Sequence, residues 1–351
     1  FLMSIIAAVD DYADLLRVSV ASAGNDHRLG ANEAPPAIVS IFLGDELTAV
    51  LKSIEEGTDF LKQKQTLMEI GATVLPHFAK DTTDRNRTSP FAFTGNKFEF
   101  RMPGSALSVA EPNVILNTAV AESLRQIYEA LKDTPEEEMD VAIQELLKST
   151  ITKHKRILFN GNGYTDEWVE EAEKRGLFNL KSLPDALPQF IAPKNVNLFT
   201  KHKIYTKEEI FSRYEIILEN YSKTIHIESL TIQDMVKKDF TPALFAYVSD
   251  VTKEALDKKK LLPSLSSSYE ESIIKTLTDC SEKILLELDK LACDTKKAEQ
   301  MEEPLQTALY YHDTILKDMD SLRSFVDQAE AVIPGCYLPY PTYDELLFSL
   351  R

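Results

Sequence analysis

Residues 91–104 read Phe-Ala-Phe-Thr-Gly-Asn-Lys-Phe-Glu-Phe-Arg-Met-Pro-Gly. Phe91, Phe93, Phe98 and Phe100 alternate with other residue types around Thr94-Gly95-Asn96. Period-two alternation about a Gly-Asn turn is the signature of a β-hairpin. In a strand, Lys97, Glu99 and Arg101 then share one face, and Phe98 and Phe100 share the other. Pro103-Gly104 ends the run.

Outward from the hairpin the chain has two characters. Upstream, Ile5, Ile6, Val9, Ala13, Leu16 and Val20 follow helical spacing over residues 1–22. The loop 24–36 closes on Pro35-Pro36, and Ile38–Leu43 is β-branched and reads as a buried strand. Helical patches are predicted over about 45–56, 58–70 and 113–132. Downstream of residue 134 nearly everything is helical. Thr134-Pro135-Glu136-Glu137 reads as an N-cap with Pro and acids in the first turn, and Thr165 as the start of another helix. A long polar helix is expected over 206–236. Ile273, Leu277, Cys280, Ile284, Leu288 and Leu291 form one apolar stripe, and Leu305, Leu309, His312, Leu316 and Met319 a second. Together they predict a helical hairpin turning near Pro304. The expected class is therefore α+β: strands and helices mixed over residues 1–130, then a mostly α-helical extension over 131–351.

The chain has 351 residues, 44 % hydrophobic and 27 % charged, which is a globular composition. With 56 acidic against 39 Lys and Arg side chains, its net charge is −17. So acidic a chain has no overall attraction to nucleic acid or to an anionic membrane. Three scattered cysteines fit a reducing compartment, and the cytoplasm is the expected location. The opening apolar run stops at Asp10-Asp11, too short for a bilayer span. His77, His154, His202, His226 and His312 lack metal-ligand spacing.

Within this acidic chain, residues 85–101 hold Arg85, Arg87, Lys97 and Arg101 against Glu99 alone, a local charge of +3. Such an island can hold phosphate or carboxylate. Glu99 among cations is either an internal ion pair or a ligand for a hard divalent metal. The same pattern also describes an ordinary amphipathic strand with a solvated side. In the loop 24–36, Arg28 and Glu33 are either a surface ion pair or functional groups on a fixed loop.

Three runs, Asn25–Pro36, Asn86-Arg87-Thr88 and Gly95–Gly104, in that order, resemble the C-terminal catalytic half of type III glutamine synthetase. Asn160–Trp168 and Pro339–Phe348 resemble further parts of type III chains. The resemblance implies a ligase that joins ammonia to glutamate at the expense of ATP through a γ-glutamyl phosphate. It implies Mg²⁺ or Mn²⁺, two or more per site, and a homo-oligomer of two stacked hexameric rings, a dodecamer. Carried over by motif, Arg28 holds the glutamate α-carboxylate and Glu33 takes a proton from ammonium. Arg87 and Lys97 contact ATP phosphates, and Glu99 ligates a metal. Arg101 neutralises the γ-carboxylate and its phosphorylated form. Ala92 departs from the pattern, standing where better-known types carry a second Arg. The family's N-terminal β-grasp domain, its other acidic metal ligands and its metal-binding His lie upstream of the helix that opens this chain. The resemblance therefore implies that residues 1–130 complete an antiparallel sheet begun elsewhere, that the chain is part of a longer polypeptide, and that it is inactive alone. Two other readings stay open: a synthetase-like binding or regulatory module without activity, and a related carboxylate–amine ligase for another amino acid.

Overall fold

A computed structural model describes residues 1–31, 34, 36–58, 67–68, 78–79 and 88–348. The chain divides into two compact units, Phe1–Ile216 and Ile217–Arg351.

The first unit opens with α1 (Leu2–Asp11), α2 (Ala13–Val18) and α3 (Ala23–Asp26). The helix predicted over 1–22 is therefore broken at Tyr12, whose backbone leaves the helical region. Residues 3–10 of α1 are all buried, including Ser4 and Asp10, so α1 is an internal helix rather than a surface one. Next come β1 (Ile41–Phe42) and α4 (Gly44–Glu56), which stops at Gly57 in the left-handed region. The patch expected to be helical over 58–70 lies largely outside the described residues. Leu67–Met68, which are described, instead form β2, paired antiparallel with β3 (Phe78–Ala79).

The predicted hairpin is present as β4 (Phe91–Phe93) and β5 (Phe98–Phe100). Phe91 faces Phe100, Ala92 faces Glu99 and Phe93 faces Phe98. Gly95, at φ +99°, makes the turn, and the Thr94 N–H donates to the Lys97 carbonyl at 2.9 Å. The cross-strand register puts all four rings on one face, with Phe91–Phe98 and Phe93–Phe98 centroids 5.2 Å apart. The three-stranded sheet has the order β1-β4-β5. It is mixed rather than antiparallel throughout, because β1 runs parallel to β4. A long connection containing α4 separates these two strands, which is what a parallel pair requires.

Helices α5 (Ala110–Leu131), α6 (Met139–His154), α7 (Asp166–Lys174), α8 (Leu183–Ala186) and α9 (Pro193–Lys201) complete this unit with the first part of α10 (Lys207–Met235). Thr165 caps α7 as predicted, accepting from the Trp168 N–H. Thr134 does not cap α6: a 3₁₀ turn over Glu136–Glu138 intervenes. By packing, the helices up to residue 216 belong to the same compact unit as the first 130 residues.

The second unit holds the rest of α10, a π turn (Val236–Phe240), α11 (Thr241–Leu261), α12 (Ser268–Ala298), α13 (Pro304–Tyr310), a second π turn (Tyr311–Ile315), α14 (Leu316–Glu330) and α15 (Tyr343–Leu347). The helical hairpin is formed, α12 packing against α14. Its first stripe is buried from Leu277 to Leu291. The second differs by one residue: Ala308, Tyr311, Ile315, Asp318 and Leu322 are buried, while Leu305, Leu309, His312, Leu316 and Met319 are only half-buried. The true seam contains an acid, Asp318, 2.8 Å from Lys290, and that polar interruption hides it from a reading of apolar spacing.

Candidate functional site

The hairpin and the loop after α3 carry the site residues that the structure describes. Glu99 lies on β5 between two cations. Arg101 approaches the same Glu99 oxygen through Nη2 at 3.0 Å and Nε at 3.2 Å, and Lys97 Nζ lies 3.4 Å from the other oxygen. Arg101 is mostly covered, Lys97 mostly exposed, and Glu99 between them. The Arg101 hydrogen bond, with a smaller contribution from Lys97, holds Glu99 below the usual carboxylate range. Ala92, opposite Glu99, is fully buried, so a second Arg at that position has no room in this sheet.

Arg28 joins this end of the strand. Its Nη2 donates to the carbonyls of Met102 at 2.7 Å and Pro103 at 3.1 Å, and its Nε donates to Asn25 Oδ1 at 3.1 Å. The half-buried guanidinium is therefore fixed immediately beyond Arg101 in the chain. Asn25 is the pivot. Buried, it donates through Nδ2 to the carbonyls of Val20 and Met102. Gly104 must remain glycine beside it, since a Cβ there would lie 2.9 Å from Asn25 Oδ1. Below Asn25, α3 is capped by Ser22 and tied down by Asp26, which accepts from buried Arg17 at 2.9 Å and from the Leu183 N–H at 2.6 Å.

The structure thus brings Arg28 to the strand carrying Lys97, Glu99 and Arg101. Glu33, Arg85 and Arg87 lie outside the described residues. No pattern in the sequence assigns a role to Asn25. Its signal, an Asn just before a Gly-containing loop, is shared by countless surface turns.

As a metal donor Glu99 fits in kind, being an ionised oxygen ligand of the sort Mg²⁺ and Mn²⁺ prefer. Elsewhere among the described residues, Asp10, Asp11 and His154 place three possible ligand atoms within 4.8 Å of one another. There Asp10 is already satisfied by Arg156 Nε at 2.9 Å and His154 Nδ1 at 2.8 Å, so the group serves as an ion-paired tie between α1 and the end of α6.

Residues 142–259 match the glutamine synthetase C-terminal domain family. A glutamine synthetase of Butyrivibrio fibrisolvens is 55 % identical over 352 residues, covering 100 % of this chain and 50 % of the relative. A type-3 glutamine synthetase of Dictyostelium discoideum is 40 % identical, covering 99 % of this chain and 48 % of the relative. A glutamine synthetase of Bacteroides fragilis (strain YCH46) is 34 % identical, covering 99 % and 49 %. The chain spans about half the length of the curated relatives it matches.

Proposed function

We propose, from the premise that this chain belongs to the glutamine synthetase family, that it supplies part of the site at which ATP drives the joining of ammonia to glutamate. The observation that carries this reading is the Lys97–Glu99–Arg101 strand with Arg28 fixed beside it. Phosphoryl transfer needs little covalent help from protein; it needs positioning and neutralisation of spreading negative charge.

In this reading the glutamate γ-carboxylate attacks the γ-phosphorus of ATP, and the bond to ADP breaks. Ammonia then attacks the carbonyl carbon of the γ-glutamyl phosphate and expels phosphate. Arg28 holds the α-carboxylate by charge-assisted hydrogen bonds. Arg101 neutralises the γ-carboxylate and then its phosphorylated form. Lys97 and Arg87 contact phosphate oxygens, and Glu33 accepts a proton from ammonium. Glu99 holds one Mg²⁺ or Mn²⁺, which supplies charge stabilisation at the phosphates when bound. Two or more such ions are proposed per site. The relatives are about twice the length of this chain, and the remaining ligands are assigned to sequence outside these 351 residues. Residues 1–130 carry the catalytic part and 131–351 the helical extension. A homo-oligomer of two stacked hexameric rings in the cytoplasm completes the reading. Three free cysteines support that compartment, and no helix among the described residues is long and apolar enough to cross a membrane.

The test is Glu99→Gln in a polypeptide that carries this chain in full. The change keeps shape but removes the charge that holds a metal. Glutamine formation with ATP and Mn²⁺ should fall by roughly a hundredfold or more, with a raised metal requirement. Unchanged turnover would remove Glu99 from the mechanism.

A further inference from the structure

Arg28 has one edge to spare. Its Nε and Nη2 are bonded within the protein, to Asn25 Oδ1 and to the carbonyls of Met102 and Pro103, and among the described residues Nη1 has no partner. Where Nη1 points is set by α3, which carries Asn25 and is a single turn, Ala23–Asp26. One turn of helix does not hold itself in place, because nucleation fixes several residues for one hydrogen bond. Its position must come from groups outside it.

That support comes through Asp26 from Arg17 on α2, whose side chain is only 1 % exposed. Arg17 Nη2 donates to Asp26 Oδ1 at 2.9 Å and to the Lys181 carbonyl at 3.1 Å, and its Nε donates to the Leu180 carbonyl at 2.7 Å. The other Asp26 oxygen accepts from the Leu183 N–H at 2.6 Å. Both members of the pair are thus tied to the same four residues, 157 to 164 positions away along the chain. Those residues are themselves anchored: buried Ser182 caps α8 and exchanges hydrogen bonds with Asp185 in a capping box. A buried ion pair adds little net stability over apolar side chains of the same volume, since desolvation offsets the attraction. What this one supplies is direction, because a planar fork and a carboxylate admit few mutual arrangements.

We propose that Arg17 and Asp26 are positioning residues for glutamate binding: through Asn25 they aim the spare edge of Arg28, and the segment Leu180–Leu183 becomes part of the support of the substrate site. This role rests on the proposed reading of Arg28 as the clamp on the glutamate α-carboxylate. That carboxylate keeps its charge and place throughout the reaction, so its contact with Arg28 is equally strong in the ground and transition states. A misaimed Arg28 therefore raises the KM for glutamate and leaves kcat nearly unchanged.

The test is made in a polypeptide that carries this chain in full. Asp26→Asn keeps the shape, but its amide has one oxygen for two donors, so either Arg17 or the Leu183 N–H loses its acceptor. The KM for glutamate should rise about tenfold, with the KM for ATP and the kcat at saturating glutamate within about twofold of the parent. Arg17→Lys keeps the charge but loses the fork, and should raise the glutamate KM by about threefold; it carries the test should Asp26→Asn fail to fold. Arg28→Lys should raise the glutamate KM at least as far as Asp26→Asn. Combining the two should add less than about a further twofold, because both act through one guanidinium. Damage that only loosened the fold would lower the amount of active enzyme and leave KM unmoved. The positioning role is overturned if neither Asp26→Asn nor Arg17→Lys moves the glutamate KM, if the KM values for glutamate and ATP rise together, or if the effects of Asp26→Asn and Arg28→Lys multiply. Arg28→Lys separates these outcomes from a failed clamp: if it too keeps the parental KM, Arg28 does not hold glutamate and the positioning role falls with it.

Discussion

Arg28 reaches the strand only because Asn25 is held in place, and Asn25 fits only because position 104 has no side chain. The Asn25 amide donates to two carbonyls and its oxygen accepts from Arg28, so it cannot swing aside when crowded. Gly104→Ala puts a methyl group 2.9 Å from that oxygen. We expect a loss of about 1–3 kcal/mol in urea unfolding, the usual cost of overpacking a fixed site. A variant as stable as the parent would show that this loop yields more readily than the bonds imply. The residue types of the site were legible in the sequence, because strand alternation alone assigns Lys97, Glu99 and Arg101 to one face. The engagement of Arg28 with Met102 and Pro103 was not, since no local pattern reports a contact spanning more than seventy residues.

Among the elements, α5 and α9 are joined through one buried acid. Glu122 on α5 receives Arg125 at 2.8 and 2.9 Å, Lys201 at 2.9 Å and His202 Nε2 at 2.8 Å. The Arg125 hydrogen bonds, aided by Lys201 and His202, hold its carboxyl far below the ordinary value of 4.5. A depressed carboxyl stabilises the fold fully above its unfolded value, and that contribution fades as pH falls from about 4.5 through the folded value. Glu122→Gln should therefore cost about 2 kcal/mol at pH 7, and the gap between variant and parent should narrow as the pH drops below 4.5. Chemical denaturation at neutral and acid pH measures both quantities. A gap independent of pH would mean that the charge on Glu122 contributes nothing.

Helices with strong apolar periodicity, such as α12, were legible in their existence and buried face, although the stripe Ile273–Leu291 stops short of the helix Ser268–Ala298 at both ends. The second stripe was not, because two candidate seams one residue apart run along residues 305–322. The seam that packs includes Asp318, a residue that apolar counting rejects and Lys290 makes tolerable. The parallel pairing of β1 with β4 was likewise invisible, since period-two alternation reports which face a side chain takes and never the direction of a neighbouring strand.

For the molecule as a whole, composition excluded broad classes and motif order pointed to the family, to which the relatives belong along essentially the whole chain. The division into compact units at residue 216 was not readable, because composition follows secondary structure while compactness follows packing. The family match over residues 142–259 crosses that division, so the units defined by packing are not the segments defined by similarity.

The most direct measurement is a crystal structure of a polypeptide containing this chain in full, grown with ADP and Mn²⁺ and phased to locate manganese by anomalous scattering. The account predicts a Glu99 carboxylate oxygen at about 2.0–2.6 Å from a manganese peak, with Lys97 and Arg101 turned toward phosphate or substrate. Manganese bound at some other cluster, with Glu99 still closed on Arg101 and Lys97, would contradict it.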